Sequence, residues 1–155
     1  MNQPAVEMDE IKFSAILPHD IFKVWKDIKK YLERSCKRSN GRHTVDTIYK
    51  QLMDKQVHLW IVFDPKNDLI TGCIITNHVY YPTGLKMLNI LQLGGKNMQD
   101  WMEIVRPIIT KFAKDNKCNG IEATGRRGVS NWLTKKDNKW KEENIHYELQ
   151  FKEIK

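Results

Sequence analysis

The stretch MLNILQLGGKNMQD, residues 87–100, changes texture twice. MLNILQL, 87–93, is an apolar run of strand character. Gly94-Gly95 closes it. From Met98 the apolar residues return at helical spacing, as Trp101, Ile104, Val105, Ile108, Ile109 and Phe112. A strand therefore feeds through a glycine turn directly into an amphipathic helix, and the rest of the chain has to supply partners for both. Pro107 sits inside the helical pattern, where it removes a backbone donor and predicts a kink.

Upstream of this junction, VHLWIVF (57–63) and LITGCIITNHVYY (69–81) read as two more strands, the second bulged near Gly72. DPKND (64–68) and PTGLK are turns, and connections this short favour an antiparallel meander. Nearer the start, EIKFSAIL (10–17) is a strand ended by Pro18, and Asp20 is placed to cap the helix behind it. That helix has apolar residues at 21, 24, 25, 28, 31 and 32; SNGRH (39–43) breaks it. A shorter helix follows, with Val45, Ile48, Leu52 and Met53 on one side. Downstream, IEAT after Asn119-Gly120 is a short strand, VSNWL opens another helix, and IHYELQFK (145–152) alternates as a closing strand. The order is β-α-α-β-β-β-α-β-α-β: an α/β (α+β) chain with a mixed, mostly antiparallel sheet. No helix here can bury its stripe without the central strands, so residues 1–155 read as one domain.

Composition narrows the class. With 155 residues, 41% hydrophobic and 29% charged, the chain can bury one core and is not disordered throughout. No apolar run is long enough to span a membrane. MNQPAVEMDE has neither the basic start nor the apolar centre of a secretory signal. Cys36, Cys73 and Cys118 form no CxxC pair and suit a reducing compartment, with Cys73 and Cys118 expected buried and inert. His19, His43, His58, His78 and His146 lack HxxxH spacing, so no metal is expected; nor is there a G-x-S-x-G elbow or a Walker loop. Trp25, Trp60, Trp101, Trp132 and Trp140 are mainly core candidates, although the lysines around Trp140 would also suit a partner surface.

The charge is concentrated. Residues 23–42 hold eight basic side chains, Lys23, Lys26, Lys29, Lys30, Arg34, Lys37, Arg38 and Arg42, against Asp27 and Glu33, which is +6 of the net +7. Lys135, Lys136, Lys139 and Lys141 form a second cluster. Such a balance attracts polyanions, whether nucleic acid, an acidic protein surface or a phosphorylated cofactor; it is equally the ordinary dress of a solvated helix face. With no helix-turn-helix, zinc finger or stacking motif, any DNA contact would be to the backbone, non-specific and salt-sensitive.

Over essentially its whole length, the element order resembles the GNAT family of N-acetyltransferases. In that family a mixed sheet splays open between its fourth and fifth strands, and acetyl-CoA lies in the split with its pyrophosphate at the loop and helix after the fourth strand. The family loop reads Q/R-x-x-G-x-G/A. Here the segment is Gln92, Leu93, Gly94, Gly95, Lys96 and Asn97, in which Gln92 and Gly95 fit and Asn97 does not. The resemblance makes these six residues the expected cofactor-binding loop: glycine lets phosphate oxygens approach the chain, helix-start N–H groups face the anion, and Lys96 adds a charge-assisted contact. The same residues also suit a plain glycine turn, with Asn97 and Asp100 capping the helix and the Asp100 charge stabilising an empty helix start.

A narrower resemblance is to GNAT-like proteins of tailed bacteriophages. These carry a glycine loop, a tryptophan in the following helix and a stretch A-x-x-x-G-C-x-x-I-E-x-x-G-R-x-G-W. Ala113, Cys118, Ile121, Glu122, Gly125, Arg126 or Arg127, and Gly128 match it; Asn116 or Lys117 replaces the glycine, and Val129 the tryptophan, with Trp132 three residues on. The setting it implies is a virion or the host cytoplasm.

A GNAT needs a base for the amine and often uses a tyrosine after the fifth strand as acid. GVSNWLTKK has no tyrosine. Ser130 is the substitute candidate and Asn131 a candidate for the pantetheine arm; both residue types also serve as helix caps. Glu122 is the candidate base, or else a solvent-facing strand residue paired with Arg126 or Arg127. His78, Tyr80 and Tyr81 lie where a substrate could approach, or are packing residues. Two functions result. One is a GNAT-like phage protein with absent or vestigial activity, contacting virion proteins or DNA backbone through Lys23, Lys26, Lys30, Arg34, Lys37, Arg38, Lys135, Lys136 and Lys139. The other is an active acetyl-CoA-dependent N-acetyltransferase on a host amine or protein lysine.

Overall fold

β-Branched and aromatic residues fill the middle of the chain. In the computed structural model, which describes residues 10–125, 140–141 and 143–151, they build one five-stranded sheet. β1 (Lys12–Ile16), β2 (His58–Asp64), β3 (Leu69–Tyr80) and β4 (Lys86–Gly95) pair antiparallel in chain order. Helices α1 (Ile21–Lys37) and α2 (Val45–Met53) connect β1 to β2. Helix α3 (Met98–Asp115) crosses over to β5 (Gly120–Ala123), which pairs parallel with β4. The mixed, mostly antiparallel α/β architecture expected from the element order forms as far as β5.

Both faces of the sheet are covered, which is why VHLWIVF is apolar throughout instead of alternating. Leu59, Ile61, Cys73 and Ile75 pack under α1 and α2 with Ile28, Leu32, Ile48 and Leu52. Trp60, Val62, Ile74 and Leu88 pack under α3 with Trp101, Met102, Val105 and Ile109. On this second face His58, His78 and Phe112 form a ring cluster, with His58 and His78 centroids 5.0 Å apart. Thr76 Oγ1 accepts from Trp60 Nε1 (3.0 Å) and lies 2.9 Å from His58 Nδ1. Burial pulls both imidazoles below their usual range, helped by their mutual proximity at His58 and by Lys86 at His78.

Glycines set how closely the helices approach. A Cβ on Gly94 would meet the Tyr31 carbonyl oxygen of α1 at 2.9 Å. A Cβ on Gly72 would meet Trp101 of α3 at 2.8 Å, and one on Gly95 (φ +156°) would meet the Thr71 carbonyl at 2.6 Å. Two bulges shape the strands. Val62 faces Gly72 while Phe63 faces Ile70, so Thr71 is the extra residue, beside the expected Gly72. Ile75 faces Gln92 while Thr76 faces Ile90, so Leu91 is extra in β4.

Several expectations are corrected. Asp20 makes no side-chain cap: Pro18–Asp20 forms a short 3-10 turn, and the carboxylate pairs with Lys23 (3.0 Å). Met53 is exposed at the end of α2. Cys118 is half-buried in the loop before β5, whereas Cys36 and Cys73 are buried and the Cys73 thiol is pushed up to about 12 by desolvation. Residues 145–151 form no strand and pair with none. The expected helix at VSNWL lies outside the described residues.

Gly72→Ala should destabilise by about 1–3 kcal/mol through overpacking against Trp101. Gly84, at φ +92° with open space around its Cβ position, should cost only about 1 kcal/mol of backbone strain on the same change. Urea unfolding of the two variants checks the order; equal losses would mean that the Trp101 contact does not limit the site.

Candidate functional site

The sheet opens where β5 stops. Met87 to Ile90 of β4 pair with Gly120 to Ala123, and from Leu91 to Gly95 β4 continues with no β5 partner among the described residues. The parting coincides with the Leu91 bulge, and an extra residue bends its strand at that point. Burial follows: β3 is buried from Thr71 to Thr76, while Leu91, Leu93, Gly94 and Gly95 of β4 are only half-buried. The segment Gln92–Asp100 thus borders the open edge of β4.

The loop after β4 is held from inside. Lys96 N–H donates to the Thr71 carbonyl (2.8 Å), and Trp101 Nε1 donates to the Lys96 carbonyl (2.8 Å). Trp101, 1% exposed, lies over Gly72 and Gly95 on the β3 side, so it fills the core beneath the loop. Gln92 is buried and its Oε1 accepts from Ser35 of α1, so its side chain ties α1 to the sheet. Leu93 packs against the α3-side core, and Gly94 lies under Tyr31. Asn97 adopts a left-handed conformation (φ 52°, ψ 45°), makes no side-chain cap, and accepts the Asp100 N–H only through its carbonyl (2.8 Å). The expected Asn97 cap is therefore absent. The N–H groups of Met98 and Gln99, in the first turn, have no intrahelical carbonyl within reach. The Lys96 side chain is exposed beside them, with Asp100 in the same turn. This junction fits the pyrophosphate end of acetyl-CoA: open helix-start donors, a lysine and a half-buried apolar strand edge.

Below the bulge, on the α1 side of the sheet, the register aligns Asn77, Asn89 and Glu122 across three strands. Asn89 Nδ2 donates to Asn77 Oδ1 (3.0 Å), and the Tyr81 hydroxyl donates to Glu122 Oε2 (2.6 Å). That bond holds the Tyr81 hydroxyl above its usual range. Of the sequence candidates, Glu122 and Tyr81 are brought together. Tyr80 is exposed under the Lys86 ammonium, and His78 lies on the other face, beneath α3. The Asn77–Asn89 row escaped the sequence reading, since only pairing register sets it. Ser130, Asn131, Arg126, Arg127, Lys135, Lys136 and Lys139 lie outside the described residues. An apolar cleft of about 570 Å³, lined by Ile16, Pro18, Leu52, His58 and Phe112, sits where β1 ends and β2 begins, away from the Gly94–Gly95 turn. Among the described residues no helix is long and apolar enough to cross a membrane.

No family model matches the chain, and no curated protein matches it in sequence. Its fold is shared with solved acetyltransferases. One is an aminoglycoside acetyltransferase from an uncultured soil metagenomic sample, in complex with trehalose: TM-score 0.68, 10% identity, covering 92% of this chain and 97% of that one. Another is a GNAT family acetyltransferase of Staphylococcus aureus subsp. aureus USA300_TCH1516: TM-score 0.60, 13% identity, 91% and 98% covered. A third is a predicted acetyltransferase with acetyl-CoA from Clostridium acetobutylicum: TM-score 0.59, 13% identity, 91% and 96% covered. The chain has the GNAT acetyltransferase fold.

Tyr31 and Tyr81 should both ionise late in a spectrophotometric titration, Tyr31 because of burial and Tyr81 because of its bond to Glu122. A raised tyrosine pKa favours the neutral form in the fold, so this contribution to stability is present below about pH 10 and fades as pH rises through the folded pKa. Glu122→Ala should return one tyrosine to the ordinary range and leave one late. A titration unchanged by the substitution would show that the two side chains do not interact.

Proposed function

We propose that the chain is an acetyl-CoA-dependent N-acetyltransferase whose acceptor is a primary amine. The observation that carries this reading is the uncapped start of α3 beside the open edge of β4, which leaves anion-binding donors at the junction where the resemblance to the GNAT family puts the pyrophosphate. In the proposed mechanism Lys96 and the first-turn N–H groups of α3 hold the pyrophosphate. Bound acetyl-CoA supplies an activated acetyl group. The outer edge of β4 beyond Leu91, which has no β5 partner among the described residues, orients the thioester carbonyl, and the half-buried Leu91 and Leu93 exclude water. Glu122 takes the proton that the amine must lose before it can attack. The Tyr81 hydroxyl fixes the carboxylate, and Asn77 and Asn89 line the acceptor's approach. Ser130 and Asn131 keep their proposed roles as proton donor to the departing thiolate and as ligand of the pantetheine arm.

Acetyl-CoA at about 100 times its dissociation constant should stabilise the protein by about 2.7 kcal/mol, visible as a thermal shift of several degrees. Glu122→Gln should keep that shift while lowering kcat/KM for amine acetylation by roughly 10²–10⁴-fold. No shift at millimolar cofactor would remove the proposal.

A second reading rests on α1. Its helix and the loop behind it carry Lys23, Lys26, Lys29, Lys30, Arg34, Lys37, Arg38 and Arg42, all exposed, with Phe22 exposed among them at 71%. In this reading the chain is a phage protein that contacts DNA backbone or acidic virion proteins through this face. Binding to duplex DNA should then be indifferent to sequence and fall steeply with salt, and Lys26→Glu with Lys30→Glu should flatten the salt slope by about two. Binding that survives high salt would contradict a contact of this kind.

A further inference from the structure

The layers stay open at the end of the sheet where β1 stops. Ile16, the last residue of β1, pairs with Leu59, and β2 begins one residue earlier, so His58 extends past β1. The chain turns off there through Leu17 and Pro18. Between that turn, the end of α2 and Phe112 of α3 lies the cleft of about 570 Å³, a size typical of small-molecule sites. Ile16, Ile21, Leu52, Val57, Trp60 and Phe112 make its walls apolar. Leu17 adds a further apolar side chain that is 58% exposed. Polar groups are few. Trp60 Nε1 is engaged by Thr76 Oγ1 (3.0 Å), which also lies 2.9 Å from His58 Nδ1. Among the described residues nothing hydrogen-bonds His58 Nε2, and that atom, unlike His78 Nε2, is not sealed from solvent. Lys55 is the one lining side chain with a permanent charge, and no carboxylate lines the cleft. Asp20, beside the lining His19, is paired with Lys23 (3.0 Å) and His19 (3.4 Å); Asp54 precedes Lys55 and is not part of the lining.

We propose that this cleft binds a small monocarboxylate with an apolar tail, of the medium-chain fatty acid type, at a site separate from those assigned to acetyl-CoA and the amine. The apolar walls take the tail, because removing methylenes from water drives the association. Facing an anion, His58 Nε2 carries a hydrogen and donates it to the carboxylate, and Lys55 supplies the opposite charge. One lysine balances one negative charge, which suits a carboxylate better than a phosphate or a polyanion. An alcohol on the same tail leaves that charge unmatched, and an amine meets it as a like charge. Lys55 also has an unusual backbone. It follows α2 in the left-handed region (φ 60°), its N–H donating to the Leu52 carbonyl (3.1 Å) and the Gln56 N–H to the Gln51 carbonyl (2.9 Å). Glycine suits such a helix end better than lysine does. Replacing Lys55 with glycine therefore removes the charge while relaxing the chain, so binding and stability move in opposite directions.

Isothermal titration calorimetry of the full chain with octanoate, 1-octanol and octylamine, each below its micelle or solubility limit, separates the head group from the tail. Octanoate should bind one molecule per chain, about tenfold tighter than 1-octanol, with octylamine weaker still. Lengthening the acid from hexanoate to octanoate should tighten binding roughly two- to fourfold per methylene. The His58 ring signals in NMR should shift as octanoate is added. Lys55→Gly should weaken octanoate about fivefold, leave 1-octanol unchanged and raise the thermal midpoint. Ala15→Trp, at an exposed lining position, should block octanoate while the fold stays intact by circular dichroism. No binding of octanoate at millimolar concentration overturns the proposal. So does equal affinity for 1-octanol, or octanoate binding that neither Lys55→Gly nor Ala15→Trp alters.

Discussion

Trp101 lies at the point where sheet, loop and helix meet. Its indole occupies the space that a side chain at Gly72 or Gly95 would need, and its N–H holds the Lys96 carbonyl. The contact brings α3 against the β3–β4 ladder and ties down the loop from below. The Lys96 N–H and carbonyl are both engaged, and the Met98 and Gln99 N–H groups of α3 have no intrahelical carbonyl to bind. A smaller residue at 101 would leave a void beneath the loop and an unsatisfied carbonyl within it.

The opening beside that loop has an equally local cause. One extra residue, Leu91, sits in β4 where the β5 pairing ends. A bulge of this kind increases bend and twist in its own strand, so two parallel strands that start in register separate beyond it. Above the bulge lie a half-buried strand edge and an uncapped helix start; below it lies the polar row Asn77, Asn89 and Glu122 with Tyr81. In the proposed function, the bulge separates the region assigned to the cofactor from the region assigned to the acceptor.

Much of the architecture was legible because covered and half-covered segments leave different patterns. The stripe of α1, the apolar run of β2, the bulge near Gly72 and the glycine turn before α3 each have a local signature. Contacts set by other residues were less visible. Asn97 has the residue type of a cap, but the turn places it in the left-handed region, where its side chain makes no such bond. Asp20 likewise has a capping residue type, yet it sits in a 3-10 turn and pairs with Lys23. Gln92 matched a cofactor motif, and its amide was taken by Ser35, 57 residues away.

Taken by itself, the sequence determined the element order, the two-sided core, the concentrated charge of α1 and the alternating pattern of 145–151, because spacing and residue type act over a few positions at a time. Only the tertiary structure decided which polar groups meet and where β4 leaves β5. Strand register and helix docking bring together residues far apart in the chain, and a shift of one position exchanges one face for the other.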